Sequence, residues 1–112
     1  MSRLGALACA MFAISIAAVA TSAQAAEIVY NREATATEVE ALRRAAPEVM
    51  RELEALPPWQ AWAADGADGR VAVRIESQAV CGATGWCHAY VLAKGKVVWR
   101  GMLAERADWP QH

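Results

Sequence analysis

Cys87-His88-Ala89-Tyr90-Val91-Leu92-Ala93-Lys94-Gly95-Lys96-Val97-Val98-Trp99-Arg100-Gly101-Met102-Leu103 is the stretch that decides the fold. Two runs rich in β-branched and aromatic residues flank Lys94-Gly95, which predicts strands over about Cys87 to Ala93 and Val97 to Leu103 joined in a hairpin. The side chains argue its register. A two-residue turn sets Val91 opposite Val98 and Ala89 opposite Arg100, which drives a charge onto the core face. With Gly95 as the left-handed residue of a three-residue loop with a bulge, Val91 pairs with Val97 and Ala89 with Trp99. The bulged register is the expected one, because a one-residue slip exchanges the faces of a strand.

Working towards the N-terminus, Val71, Val73 and Ile75 alternate with Ala72, Arg74 and Glu76, the period of a half-buried strand. Placing Cys81 opposite Cys87 aligns this strand with the hairpin. One face then carries Val71, Val73, Ile75, Ala79, Ala89, Val91, Val97, Trp99 and Leu103. The other, solvated face carries Arg74, Glu76, Gln78, His88, Tyr90, Leu92, Arg100 and Met102. The small Ala79 and Ala89 leave room on the first face for a helix.

That helix is announced by capping-box spacing, either Thr35 with Glu38 or Thr37 with Glu40. Val39, Leu42, Ala46, Val49, Leu53 and Leu56 recur at helical spacing and form one apolar stripe. Pro47 lies inside the pattern, where it removes a backbone donor and clashes with the preceding turn, so the helix is kinked or split near Ala45 to Ala46. Pro57-Pro58 ends it, Trp59 and Trp62 follow, and the run Asp65 to Gly69 reads as a turn. The expected architecture is α+β: the helical segment packed across a three-stranded antiparallel meander, with Glu27-Ile28-Val29-Tyr30 as a candidate N-terminal edge strand.

Residues 1–25 stand apart from this domain. A single Arg3 precedes an apolar run from Leu4 to Ala20, and Ala23-Gln24-Ala25 has the small residues of a cleavage site, so a secretory signal peptide cut after Ala25 is expected. The run is too short and too alanine-rich for a retained span, so no membrane anchor is expected after cleavage. The whole chain has 112 residues, 12 acidic and 11 basic side chains and a formal charge of -1. A near-neutral balance excludes nucleic-acid binding through bulk positive charge. The domain over residues 26–112 is small enough that a covalent staple matters. With Cys9 removed, Cys81 and Cys87 remain, and in an exported protein an even pair is expected to form a disulfide. Closing a seven-residue loop contributes about 2 kcal/mol by chain entropy, so this staple holds a turn more than the whole fold.

The candidate chemistry lies in Cys81-Gly82-Ala83-Thr84-Gly85-Trp86-Cys87-His88. Five residues separate the cysteines, whereas c-type haem attachment and thioredoxin-like exchange both use two. Neighbouring strand residues point to opposite faces, so His88 turns away from Cys87 and no metal site is expected. No acid pair or nucleophile stands near His88 by any spacing rule, which argues against an enzyme and against a cofactor. A calcium loop from Asp65 fails because its third and fifth positions are Ala67 and Gly69.

The cysteine loop resembles one in small exported bacterial proteins of no assigned activity, whose disulfide-closed hairpin reads Cys-Gly-x-x-Gly-Cys. The resemblance spans Cys81 to about Leu92, with Trp86 as an additional residue, and implies an envelope protein. From the residues themselves, the expected function is binding in the periplasm or outside the cell. A protein or envelope component would be recognised through Trp86 at the loop tip and the His88, Tyr90 and Arg100 face. The alternatives are a redox or metal-binding protein using Cys81 and Cys87, and a purely structural envelope protein.

Overall fold

A computed structural model describes residues 26–78, 81 and 85–110; the signal-peptide reading, Ala79 and the Gly82 to Thr84 part of the cysteine loop lie outside the described residues. In chain order, the described elements are β1 (Arg32–Glu33), α1 (Ala36–Ala45), α2 (Pro47–Ala55), β2 (Gln60–Asp65), β3 (Val71–Glu76), β4 (Cys87–Ala93) and β5 (Lys96–Leu103). The strands form one antiparallel sheet in the order β1-β2-β3-β4-β5. The fold is therefore α+β, with five strands in place of the expected three.

The helical segment is split where Pro47 requires it. Thr35 Oγ1 accepts from the Glu38 amide at 3.1 Å, and Glu38 Oε1 accepts from the Thr35 amide at 2.8 Å, so the capping box is the Thr35–Glu38 pair. Helix α1 ends at Ala46, whose amide donates to the Leu42 carbonyl at 2.8 Å, and Pro47 opens α2 in its first turn, where its missing N–H is no loss. Leu42, Ala46, Val49, Met50 and Leu53 from the two helices are buried against Ala63, Val73, Ile75, Tyr90 and Leu92 of the sheet. Leu56 departs from the expected stripe: α2 stops at Ala55, and Leu56 turns out of the helix to stand 58% exposed.

Strand β2 is one element the sequence reading missed. It pairs along its whole length with β3, from Gln60 opposite Glu76 to Asp65 opposite Val71. Three of its six residues leave little trace as a strand, because alanines at 61, 63 and 64 give almost no contrast between faces and have low strand propensity. The turn to β3 is as expected, with Gly69 at φ 83° and the Gly66 amide donating to the Arg70 carbonyl at 2.7 Å. At the edge, β1 replaces the candidate strand at residues 27 to 30. Instead, Glu27 forms an isolated bridge with Asp108.

The expected register is overturned in two places. Lys94 and Gly95 form a two-residue turn with both residues at positive φ, 53° and 78°. The bulge lies further on: Leu92 pairs with Val97 and Val91 with Trp99, leaving Val98 as the additional residue. In β3–β4, Val71 pairs with Leu92 and Val73 with Tyr90. Cys81 belongs to no strand, whereas Cys87 opens β4 opposite Leu103, so the two cysteines are not a cross-strand pair and cannot set the parity of the ladder. The helices consequently cover the Tyr90 and Leu92 face, and the face holding Ala72, Arg74, Ala89 and Val91 is the second one.

This second face is covered too. The Ile28 amide donates to the Ala107 carbonyl at 2.8 Å and the Trp109 amide to the Ala26 carbonyl at 2.9 Å, so the N- and C-terminal segments run side by side. They bury Ile28 with Ala64 and Ala72, and Tyr30, Leu103 and Trp109 pack around them. The Trp109 ring lies against Gly66, 3.2 Å from where a β-carbon would stand, and 5.1 Å beneath the Arg70 guanidinium.

Candidate functional site

The sequence-derived residues do not form one surface. Tyr90 is 1% exposed inside the helix–sheet core. The phenol of Tyr90 has no hydrogen-bond partner among the described residues, and burial raises its pKa above the ordinary value, opposed by the charge of Arg100. Arg100 stands over Tyr90 on the helix side, where it donates to Glu48 Oε1 at 2.9 Å and to the Ala45 carbonyl at 3.4 Å. It is thereby tied into the fold. His88 is half-buried opposite Met102. Among the described residues, Trp86 alone is a large exposed aromatic, 49% accessible, and it immediately precedes Cys87. The Cys81–Cys87 disulfide is present, with its α-carbons 4.3 Å apart.

A different cluster gathers on the second face, around a residue that sequence reasoning placed in solvent. Arg74 is 5% exposed. Strand alternation aims it at the same face as Glu76 and Cys87, and the Gly85 backbone lies against its end. Its Nη1 pairs with Glu76 Oε2. Its Nη2 lies 3.2 Å from Cys87 Sγ and 3.4 Å from the Gly85 carbonyl. Its Nε is buried with no hydrogen-bond partner among the described residues. The other Glu76 oxygen, Oε1, accepts from Trp62 Nε1 at 2.9 Å, which holds the carboxylate between an indole and a guanidinium.

Arg74 and Glu76 divide two clefts. The first, about 480 Å³, lies under the N-terminal segment and is lined by Ile28, Tyr30, Trp62 and Arg106 besides the central pair. The Tyr30 hydroxyl there is buried without a partner among the described residues, and desolvation, opposed by the nearby Arg74 charge, pushes its pKa up to about 12. The second cleft, about 1180 Å³, runs between the helix exit and the disulfide, with Leu56, Pro57, Pro58, Trp59, Gln60, Cys81 and Cys87 in its walls. The Pro57-Pro58 peptide bond is cis and carries the chain from α2 into β2 along this wall. Trp86 sits between two lining residues, Gly85 and Cys87.

The arrangement offers an apolar wall that includes Trp59 and an ion pair whose two charges compensate each other. Among the described residues, no group of three or more His, Cys, Asp or Glu side chains stands close enough to hold a metal ion. The Arg-x-Glu spacing of Arg74 and Glu76 was the available sequence cue, since residues two apart on a strand share a face. That this face is covered depends on terminal segments distant in sequence. No protein-family model matches the chain, and neither the curated proteins nor the solved structures offer a match to it.

Proposed function

We propose that this chain is a small exported protein that binds an uncharged, largely apolar segment of a partner protein in the cleft between residues 56–60 and the Cys81–Cys87 disulfide. The observation that carries the reading is the cleft's composition. Leu56, Pro57, Pro58 and Trp59 form one wall, exposed Trp86 flanks the other, and the two charges that line it, Arg74 and Glu76, are paired with each other. A cleft so lined gains by burying apolar surface and offers no uncompensated charge to a polyanion. Its aromatic and proline residues lose little freedom on docking. Export is supported by the disulfide together with the signal-like residues 1–25.

The test is a photo-crosslinking residue placed at position 86 of the otherwise intact chain in the cell envelope, with position 94 in the distant hairpin turn as the control. The expected result is a discrete adduct from position 86 that disappears when Leu56→Asp puts a charge into the cleft wall. Equal labelling from both positions, or an adduct indifferent to Leu56→Asp, would remove the support for this cleft.

A further inference from the structure

The two sulfurs of the disulfide occupy unlike surroundings. Cys87 is 3% exposed, and its Sγ lies 3.2 Å from Nη2 of the buried Arg74. Cys81 is only half-buried in the cleft wall, with its Sγ 3.4 Å from the Ser77 amide and 3.3 Å from the Ile75 carbonyl oxygen. An amide donor and a carbonyl dipole oppose one another at Cys81, whereas Cys87 is faced by the free end of a guanidinium whose other end is paired with Glu76. A neutral disulfide sulfur is a weak acceptor, so a guanidinium buried on it gains little while the bond is intact. The same contact on a thiolate becomes a charge-assisted hydrogen bond.

We propose that Cys81–Cys87 is an exchangeable disulfide with a fixed direction: an incoming thiolate attacks Cys81 Sγ, and Cys87 leaves as a thiolate held by Arg74. The co-reactant is a thiol. Its sulfur forms a bond to Cys81 Sγ while the Sγ–Sγ bond breaks, the electron pair of that bond passing to Cys87. The products are a mixed disulfide on Cys81 and a Cys87 thiolate, and a second thiolate attacking the mixed disulfide completes the reduction. Stabilising the leaving thiolate accelerates the first step and biases attack to the other sulfur. Arg74 is thus a positioning residue for the leaving group. This inference stands independently of the partner-binding cleft, because it concerns the bond and its guanidinium rather than the apolar wall.

The charged and titratable groups around Arg74 define what else acts on Cys87. Glu76, on the same strand, takes Nη1 and leaves Nη2 for the sulfur. Tyr30, from the N-terminal segment, is protonated across the neutral range. Glu27, Glu105 and Arg106 line the far cleft, on the other side of the Arg74–Glu76 pair. Opening the bond releases only a short loop, the case in which a disulfide contributes least to stability, so the reduced chain is expected to keep its fold.

The first arm of the test needs no variant. The oxidised wild-type protein is incubated with glutathione, the free thiols are alkylated, and the adducts are mapped by mass spectrometry. Glutathione on Cys81 with alkylated Cys87 is expected; glutathione on Cys87, an equal mixture, or a bond left untouched overturns the proposal. In the second arm, Cys87 ionisation is followed by thiolate absorbance in reduced Cys81→Ser protein. It should fall at least about one pH unit below the ordinary cysteine value of about 8.5, roughly tenfold more thiolate at a given pH. Adding Arg74→Met should remove that shift, and Arg74→Lys should restore part of it. An unshifted Cys87, or a shift that survives Arg74→Met in protein whose circular dichroism matches the parent, is incompatible with Arg74 holding the leaving group.

Discussion

Arg100 stands directly across the β4–β5 ladder from Tyr90, and its guanidinium carbon lies 6.0 Å from the centroid of the phenol ring. The pair explains how a charged residue shares the face on which the helices pack. β5 is the last strand of the sheet, so a long side chain there passes the rim of the core, rests on Tyr90 and reaches Glu48 and the Ala45 carbonyl at the α1–α2 junction. The charge that argued against a two-residue turn in the sequence is accommodated by the edge.

Tyr90 is consequently a core residue whose hydroxyl has no hydrogen-bond partner among the described residues. Tyr90→Phe keeps the ring and removes the buried polar atom, and is expected to be neutral or stabilising by up to about 1 kcal/mol. Tyr90→Ala leaves a cavity beneath both helices and is expected to cost about 3–5 kcal/mol, a large part of the stability of so small a domain. Urea unfolding followed by circular dichroism reads both; a Phe variant as damaging as the Ala variant would show that the hydroxyl has a partner in solution.

Acid should loosen the start of α1. Arg32 donates to both Glu38 oxygens at 2.9 Å and to both Asp65 oxygens at 3.0 Å, bridging α1 to β2. The Arg32 hydrogen bonds hold the Glu38 carboxyl below its ordinary 4.5 and the Asp65 carboxyl below 3.8. A carboxyl depressed in the fold contributes stability that is present above its unfolded value and is lost as pH falls through its folded one. The urea midpoint should therefore be flat above 4.5 with respect to these groups and should fall below it, and Glu38→Gln should flatten that descent. Thr35→Ala, which removes the other half of the capping box, is expected to cost about 1 kcal/mol at neutral pH.

Alkali should act through Tyr30. Its phenol ionises at 10.0 in the ordinary case and at about 12 in the fold, so the folded state holds a proton that the unfolded chain releases first. Stability is then fully present below 10.0 and declines as pH rises from there towards about 12. Both tyrosines of the chain are raised, so the tyrosinate absorbance of native protein should develop at higher pH than that of unfolded protein. In Tyr30→Phe the alkaline decline should be shallower. A native titration centred on 10.0 would show that Tyr30 is not buried under the N-terminal segment.

The hairpin turn holds Lys94 in a left-handed conformation that a lysine adopts at a cost. Lys94→Asn creates the Asn-Gly pair suited to two consecutive left-handed residues and is expected to raise stability by about 0.5–1 kcal/mol. Gly95→Ala, at φ 78°, is expected to lower it by about 1–2 kcal/mol. Thermal melts of the two variants measure both signs. A turn of three residues would leave Lys94→Asn without its gain, because Lys94 would then no longer need positive φ.

What the sequence by itself determined was local: a capping box at Thr35–Glu38 or Thr37–Glu40, the break at Pro47, the alternation of β3, the hairpin about Lys94-Gly95 and the pairing of the two cysteines. Each depends on chemistry within a few residues, a hydroxyl three positions from a carboxylate or a proline without an amide. Tertiary structure decided what depends on parity and cover. The sequence distance from Glu76 to Cys87 does not say whether Val73 meets Tyr90 or Ala89, and that choice selects which face receives the helices. Strand β2 was hidden by its alanines, which fit either face. The site around Arg74 was hidden for a further reason. A charged residue on a strand reads as solvated until something covers it, and here the chain lying over the second face comes from both ends of the domain, joined by the bridge between Glu27 and Asp108.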